Sequence, residues 1–188
     1  QVSVAQALEN AGRLVKEAGA QSVKLEGGAR TAPMISAIVQ AGIPVVGHLG
    51  LTPQSLHALG GFRVQGRSDS ARRQLIDDAR HLQDAGAFAL VLEMIPADLA
   101  DEISTQLSIP TIGIGAGVSC DGQVLVCNDL LGMDQSFTPR FLKRYATLET
   151  DVVGAIRNYA DDVRQSRFPG PENTFGLKST SPKLARLY

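Results

Sequence analysis

Ala-Gly closes three segments of the chain in the same way, as Ala18-Gly19-Ala20, Ala41-Gly42-Ile43 and Ala85-Gly86-Ala87, each just before an apolar run. Glycine enters the left-handed conformation that ends a helix without a Cβ penalty, so the pattern predicts an αβ joint used three times. Before the first joint, Ser3 and Gln6 read as a capping box, and Val4, Ala7, Leu8, Ala11, Leu14, Val15 and Ala18 share one helical stripe. Thr31 to Gln40, with Ile35, Ile38 and Val39, and Ser68 to Asp84, with Ala71, Leu75, Ala79 and Leu82, repeat that period. Further helices are expected from Ala97 to Leu107, after Pro96, and from about Pro139 to Arg164.

Strand-like runs alternate with these helices: Ser22 to Gly28, Ile43 to Gly50, Ala87 to Leu92, Ile109 to Gly115 and Gln123 to Asp129. Runs so nearly apolar throughout indicate a parallel sheet covered on both faces. The expected fold class is α/β, a (β/α)8 TIM barrel of which about five βα units lie in residues 1–165. A doubly wound open sheet is the runner-up, but no G-x-G-x-x-G follows a first strand and there is no Walker sequence. Gly113-Ile114-Gly115-Ala116-Gly117 is explained as well by a glycine-rich βα loop. Residues 166–188, rich in Pro, Ser, Lys and Arg, are expected to form a tail that wraps the surface or stays disordered.

A chain of 188 residues suffices for one domain with a substantial core. Its 18 Lys and Arg against 19 Asp and Glu leave no basic footprint for nucleic acid or an anionic membrane, while small anionic substrates remain possible. No apolar stretch reaches the roughly 20 residues needed to span a bilayer, and Gln1-Val2-Ser3-Val4 does not resemble a signal peptide. Cys120 and Cys127 lack the spacing of a zinc or redox pair, which fits reduced thiols in a cytoplasmic protein. With Gln rather than Met at position 1, the chain reads as a processed or cropped product.

The strand ends carry the chemistry. Glu93 closes the run Ala87-Phe88-Ala89-Leu90-Val91-Leu92, at the rim of an apolar core where lost hydration strengthens a carboxylate as a general base. Lys24 and Glu26 lie two apart on one strand and share a face, and His48 stands between Gly47 and Leu49 near the end of the next. Each has a plainer reading: Glu93 as the first solvated loop residue, Lys24 with Glu26 as an ion pair, His48 as a satisfied core histidine. Their recurrence at strand ends is the argument for a site, because chemistry in a (β/α)8 barrel collects there.

At these residues the sequence resembles the ketopantoate hydroxymethyltransferase family. The matching segments are Val23-Lys24-Leu25-Glu26-Gly27-Gly28, Gly47 to Ser55, Gly60 to Arg67, Leu92-Glu93-Met94-Ile95-Pro96, Thr111 to Gly117 and Cys120 to Val126, and the likeness runs to about Leu177. It implies a cytoplasmic enzyme of pantothenate biosynthesis, assembled as a ring-like homo-oligomer, a homodecamer in the family. That enzyme moves a one-carbon unit from 5,10-methylenetetrahydrofolate to 3-methyl-2-oxobutanoate, giving 2-dehydropantoate, with a divalent metal, usually Mg²⁺. The resemblance also makes Glu93 the proton acceptor, Lys24 and His48 substrate-binding residues, and Glu26 the acidic residue associated with the metal. An alternative is another metal-dependent barrel lyase or aldolase acting on 2-oxo acids, or a non-catalytic truncated barrel.

The family pattern before Lys24 includes strand ends G-D-S-L-G and D-L-P-F, whose aspartates bind the metal, and residues 1–23 match neither. The first three barrel strands are therefore expected to be missing from this chain. Glu26 alone would make a weak Mg²⁺ site, and an unclosed sheet would expose two apolar edges.

Overall fold

The structure, a computed structural model, describes residues 2–176. It divides into two compact units, residues up to 126 with 139–142, and residues 127–138 with 143 onward. The first unit contains α1 (Val4–Ala18), β1 (Val23–Glu26), α2 (Ala32–Gln40), β2 (Val45–Gly50), α3 (Asp69–Asp84), β3 (Ala89–Glu93), α4 (Ala97–Gln106), β4 (Thr111–Ile114) and β5 (Gly122–Gln123). The second contains α5 (Cys127–Leu130) and α6 (Leu148–Arg164). Among the described residues no helix is long and apolar enough to cross a membrane.

All five strands are parallel and lie in the order β1-β2-β3-β4-β5. The order follows the chain and never reverses, so the sheet has no switch point of the doubly wound kind; it is an arc of about five βα units of a (β/α)8 barrel. The Ala-Gly joints take the expected form: Gly19, Gly42 and Gly86 have φ of 69°, 85° and 98°. At the second and third, Ile43 N–H donates to the Ile38 carbonyl (3.2 Å) and Ala87 N–H to that of Leu82 (3.1 Å), satisfying last-turn carbonyls as the chain enters a strand. Ser3 caps α1, its hydroxyl accepting from Gln6 N–H, while the Gln6 side chain reaches back to Val2 N–H.

Strand alternation gives the sheet two unlike faces. Val23, Leu25, Val45, Leu49, Leu90 and Leu92 are buried in one cluster with Ile35 and Ile38 of α2, Leu82 of α3, and Leu99 and Ile103 of α4. Fully burying side chains of this size contributes about 1.5–3 kcal/mol each. The opposite face carries Lys24, Glu26, Val46, His48, Val91, Glu93, Ile112 and Ile114, and there Val46, Val91 and Ile112 are only half-buried. The expectation of a sheet clothed alike on both sides is corrected accordingly: one face packs against helices and the other holds the charged residues.

Two elements differ from the sequence expectation. The run Gln123 to Asp129 pairs with β4 only through Gly122–Gln123 and one more bond, Val124 N–H to the Gly113 carbonyl; Val124 and Val126 are then exposed and α5 begins at Cys127. With a ladder on only one side, this edge segment gains little from staying extended. The last helix starts at Leu148, not near Pro139. Pro139–Leu142 is a turn closed by Leu142 N–H on the Pro139 carbonyl. In the second unit the Arg144 guanidinium donates to the carbonyls of Asp134, Gln135 and Phe137, which holds that segment as a loop. Of the expected tail, residues 166–176 include one helical turn, Pro171–Asn173, and 177–188 lie outside the described residues.

Asp121 ties the start of β4 to the following loop: its carboxylate accepts from Thr111 N–H (2.8 Å) and the Thr111 hydroxyl (3.0 Å). These bonds, the backbone one first, hold the Asp121 carboxyl below its ordinary range. A depressed folded-state value means the stabilisation is present above the unfolded carboxylate value, near 4, and is lost as pH falls through the folded one. Asp121→Asn should therefore flatten the acid limb of a melting-temperature profile below about pH 4. An unchanged acid limb would show that this carboxylate does not report on folding.

Candidate active site

Parallel register brings the strand-end residues together. Glu26 of β1 is the partner of His48 on β2, and Gly50 of β2 is the partner of Glu93 on β3. Because residues two apart share a face, Lys24, Glu26, His48 and Glu93 all project on the side of the sheet away from the helical core.

His48 is the hub and is 1% exposed. Its Nδ1 lies 3.2 Å from Lys24 Nζ and 3.5 Å from Glu26 Oε1, and its Nε2 lies 3.1 Å from Glu93 Oε2. A protonated ammonium has no lone pair, so in the Lys24 contact Nδ1 accepts, which leaves Nε2 as the ring's donor. That assignment follows from the chemistry of the partner rather than from an observed hydrogen. Although close to Glu93, Nε2 makes no directed hydrogen bond and is fully buried. A buried N–H without a directed acceptor costs free energy that a ligand oxygen could recover.

Glu26 is held through its carboxylate and Glu93 through its main chain. Glu26 Oε1 lies 3.6 Å from Lys24 Nζ, and its Oε2 accepts from Gln54 N–H at 3.0 Å, at the start of the loop after β2. Glu93 is fixed through its main chain: its carbonyl accepts from Leu51 N–H (2.8 Å), and the next residue, Met94, donates to the Ile114 carbonyl and accepts from Gln65 N–H (both 2.9 Å). Met94 has φ 47°, an uncommon left-handed conformation for a side chain of this size. The turn that ends β3 is thus over-determined, and it aims Glu93 across to His48. Gly50 permits this approach, since a Cβ there would stand 2.0 Å from the Glu93 carbonyl oxygen.

All four sequence candidates fall in one cluster, whereas Gln54, Gly50 and Met94 had not been singled out. A glycine two residues after His48, inside a strand, is the sign of close backbone approach that could have pointed to Gly50. Nothing local marks Gln54, whose contribution is a main-chain N–H. A divalent cation fits this set poorly on its own. Glu26 has one oxygen on the Gln54 amide and the other facing Lys24 and His48, and among the described residues no three His, Cys, Asp or Glu side chains are grouped to hold a metal ion. Mg²⁺ asks for near-octahedral oxygen coordination, which this set does not supply.

Comparison with known proteins adds an independent line. Residues 1–171 match the family model described as ketopantoate hydroxymethyltransferase. The chain is 58% identical over 172 residues to the 3-methyl-2-oxobutanoate hydroxymethyltransferase of Oleidesulfovibrio alaskensis, a match covering 92% of this chain and 60% of that protein. It is 57% identical over 175 residues to that of Syntrophotalea carbinolica (93% and 66% covered) and 58% identical over 175 residues to that of Moorella thermoacetica (93% and 65%). The chain thus spans between 60% and 66% of the length of these three relatives. With a matched family model over most of its length and relatives at this level of identity, the chain belongs to the ketopantoate hydroxymethyltransferase family.

Proposed function

We propose that the protein to which this chain belongs transfers a hydroxymethyl group from 5,10-methylenetetrahydrofolate to 3-methyl-2-oxobutanoate, forming 2-dehydropantoate for pantothenate biosynthesis. The observation that carries the reading is the convergence of Lys24, His48 and Glu93, with a buried His48 N–H lacking a directed acceptor beside a carboxylate. In this reading Lys24 pairs with the carboxylate of the oxo acid, and Glu93 removes its C3 proton. The electrons left on C3 delocalise onto the 2-oxo oxygen, where the His48 Nε2–H can donate. Water hydrolyses the folate-borne methylene, breaking both C–N bonds to release formaldehyde and tetrahydrofolate; the C3 carbanion attacks the formaldehyde carbon, and the alkoxide so formed takes up a proton to become the hydroxymethyl group. Glu26 is the residue assigned to a divalent metal, Mg²⁺ by the family's habit, yet it offers a single carboxylate. A homo-oligomer working in the cytoplasm belongs to the same proposal.

The test uses the whole protein with tetrahydrofolate charged with ¹³C-formaldehyde. Labelled 2-dehydropantoate is expected in the presence of 3-methyl-2-oxobutanoate, and its absence with proton exchange at C3 also absent would overturn the reading. Lys24→Ala should weaken oxo-acid binding by about 1.5–3 kcal/mol, the scale of a charge-assisted hydrogen bond, with the melting temperature little changed. A large drop in melting temperature with unaltered affinity would return Lys24 to the role of a structural ion-pair partner.

A further inference from the structure

Three strand ends carry the cluster, and one loop touches all three. The loop leaves β2 after Gly50, and its first residue, Leu51, is fully buried with its N–H on the Glu93 carbonyl (2.8 Å). It crosses to β1, where Gln54 N–H donates to Glu26 Oε2 (3.0 Å), and returns to β3, where Gln65 N–H donates to the Met94 carbonyl (2.9 Å). Both ends of the loop therefore meet the Glu93–Met94 turn, the closure expected of an Ω-loop. β1 and β3 lie on either side of β2, two strand spacings or about 10 Å apart, and the loop bridges that gap.

The arm between the two pins is stiffened by its own bonds. Ser55 N–H donates to the Thr52 carbonyl (2.8 Å), Leu59 N–H to that of Ser55 (3.0 Å) and Gly61 N–H to that of Leu56 (3.0 Å), while the Gln65 side chain donates to the Arg63 carbonyl (2.9 Å). The helix layer does not brace it: a cavity of about 520 Å³ is lined by Ala58 and Leu59 of the arm and by Ala71 and Leu75 of α3. A self-bonded arm over a void opens as a unit, so what happens at one pin is felt at the other.

We infer that this loop is a positioning strap for the two carboxylates. Through the main-chain N–H groups of Gln54 and Gln65 it ties the ends of β1 and β3 across β2, and so holds Glu26 and Glu93 on either side of His48. Gln54 and Gln65 are then positioning residues, acting on the chemistry through Glu26 and through the turn that carries Glu93. This role rests on the function proposed above, and it adds what keeps the acid–base geometry fixed.

In the whole protein, amide hydrogen exchange read residue by residue tests the tie from both ends. Glu26→Ala removes the acceptor of Gln54 N–H and should speed exchange of the Gln65 amide about tenfold. Gln65→Pro removes the donor on the Met94 carbonyl and should speed exchange of the Gln54 amide likewise. Met94 N–H, which is bonded to the Ile114 carbonyl and not to the loop, should keep its protection in both variants. Unchanged exchange at the far pin overturns the strap, and so does an equal loss at Met94, which would mean general loosening of the strand ends. In Gln65→Pro, kcat for exchange of the C3 proton of 3-methyl-2-oxobutanoate should fall about tenfold with KM little changed, because Lys24 is untouched. A native kcat beside a loosened Gln54 amide overturns the positioning role. Should Gln65→Pro not fold, Glu26→Ala decides the tie alone. If the wild-type protein exchanges no C3 proton, the proposed function fails, while the amide measurements still decide whether the loop ties the two strands.

Discussion

Glu93→Gln in the whole protein is expected to slow exchange of the C3 proton of 3-methyl-2-oxobutanoate by about 10²–10⁴-fold, the usual scale of a lost general base. The amide keeps the shape and the reach toward His48 Nε2, 3.1 Å away in the native cluster, but has no basic lone pair to take the proton. Oxo-acid affinity, set in this reading by Lys24, should change little, so the loss falls on kcat rather than on KM. Deuterium incorporation followed by proton NMR separates the two. Exchange at the native rate would move the base elsewhere and leave Glu93 as a partner that orients His48.

Gly50→Ala is expected to be the most damaging methyl that can be added near the site. The new carbon would stand 2.0 Å from the Glu93 carbonyl oxygen and 2.8 Å from Ile95 Cγ2, on a residue with φ 92°. That oxygen already accepts from Leu51 N–H and cannot retreat without breaking the bond that fixes Glu93. Left-handed strain and overpacking together set the cost at about 2–5 kcal/mol. Urea denaturation would read the stability, and proton exchange in the same sample should fall as Glu93 swings out of register. A variant as stable as the parent would show that the β2–β3 ends are looser than this geometry requires.

Much of this was legible along the chain, and the exceptions share a cause. The joints could be read because a glycine at a helix end answers a local backbone demand, and the shared face of Lys24 and Glu26 because strand alternation is local too. The cluster around His48 was half legible: its members stood out as charges at strand ends, but only register puts Nδ1 near Lys24 and Nε2 near Glu93. The Gln54–Glu26 bond uses a main-chain N–H that any residue could supply, so no side chain announces it. Val124-Leu125-Val126 was read as a strand because an apolar run does not say whether a second strand lies beside it. The helix expected from about Pro139 begins only at Leu148, because Arg144 draws three carbonyls of the segment before it into a loop, a contact that no local pattern announces.

The three Ala-Gly joints sit at the amino ends of the strands, and the reactive side chains at the carboxyl ends. At the second joint the chain leaves the left-handed Gly42, enters β2 at Val45 and delivers His48 near that strand's carboxyl end. Charges beside the joints, such as Lys16, Glu17 and Asp84, are thus set toward the other end of the strands from the cluster around His48. A lineage carrying this sheet can recolour one rim, to suit a new solvent, temperature or neighbour, while the side chains that meet a substrate at the other rim stay as they were.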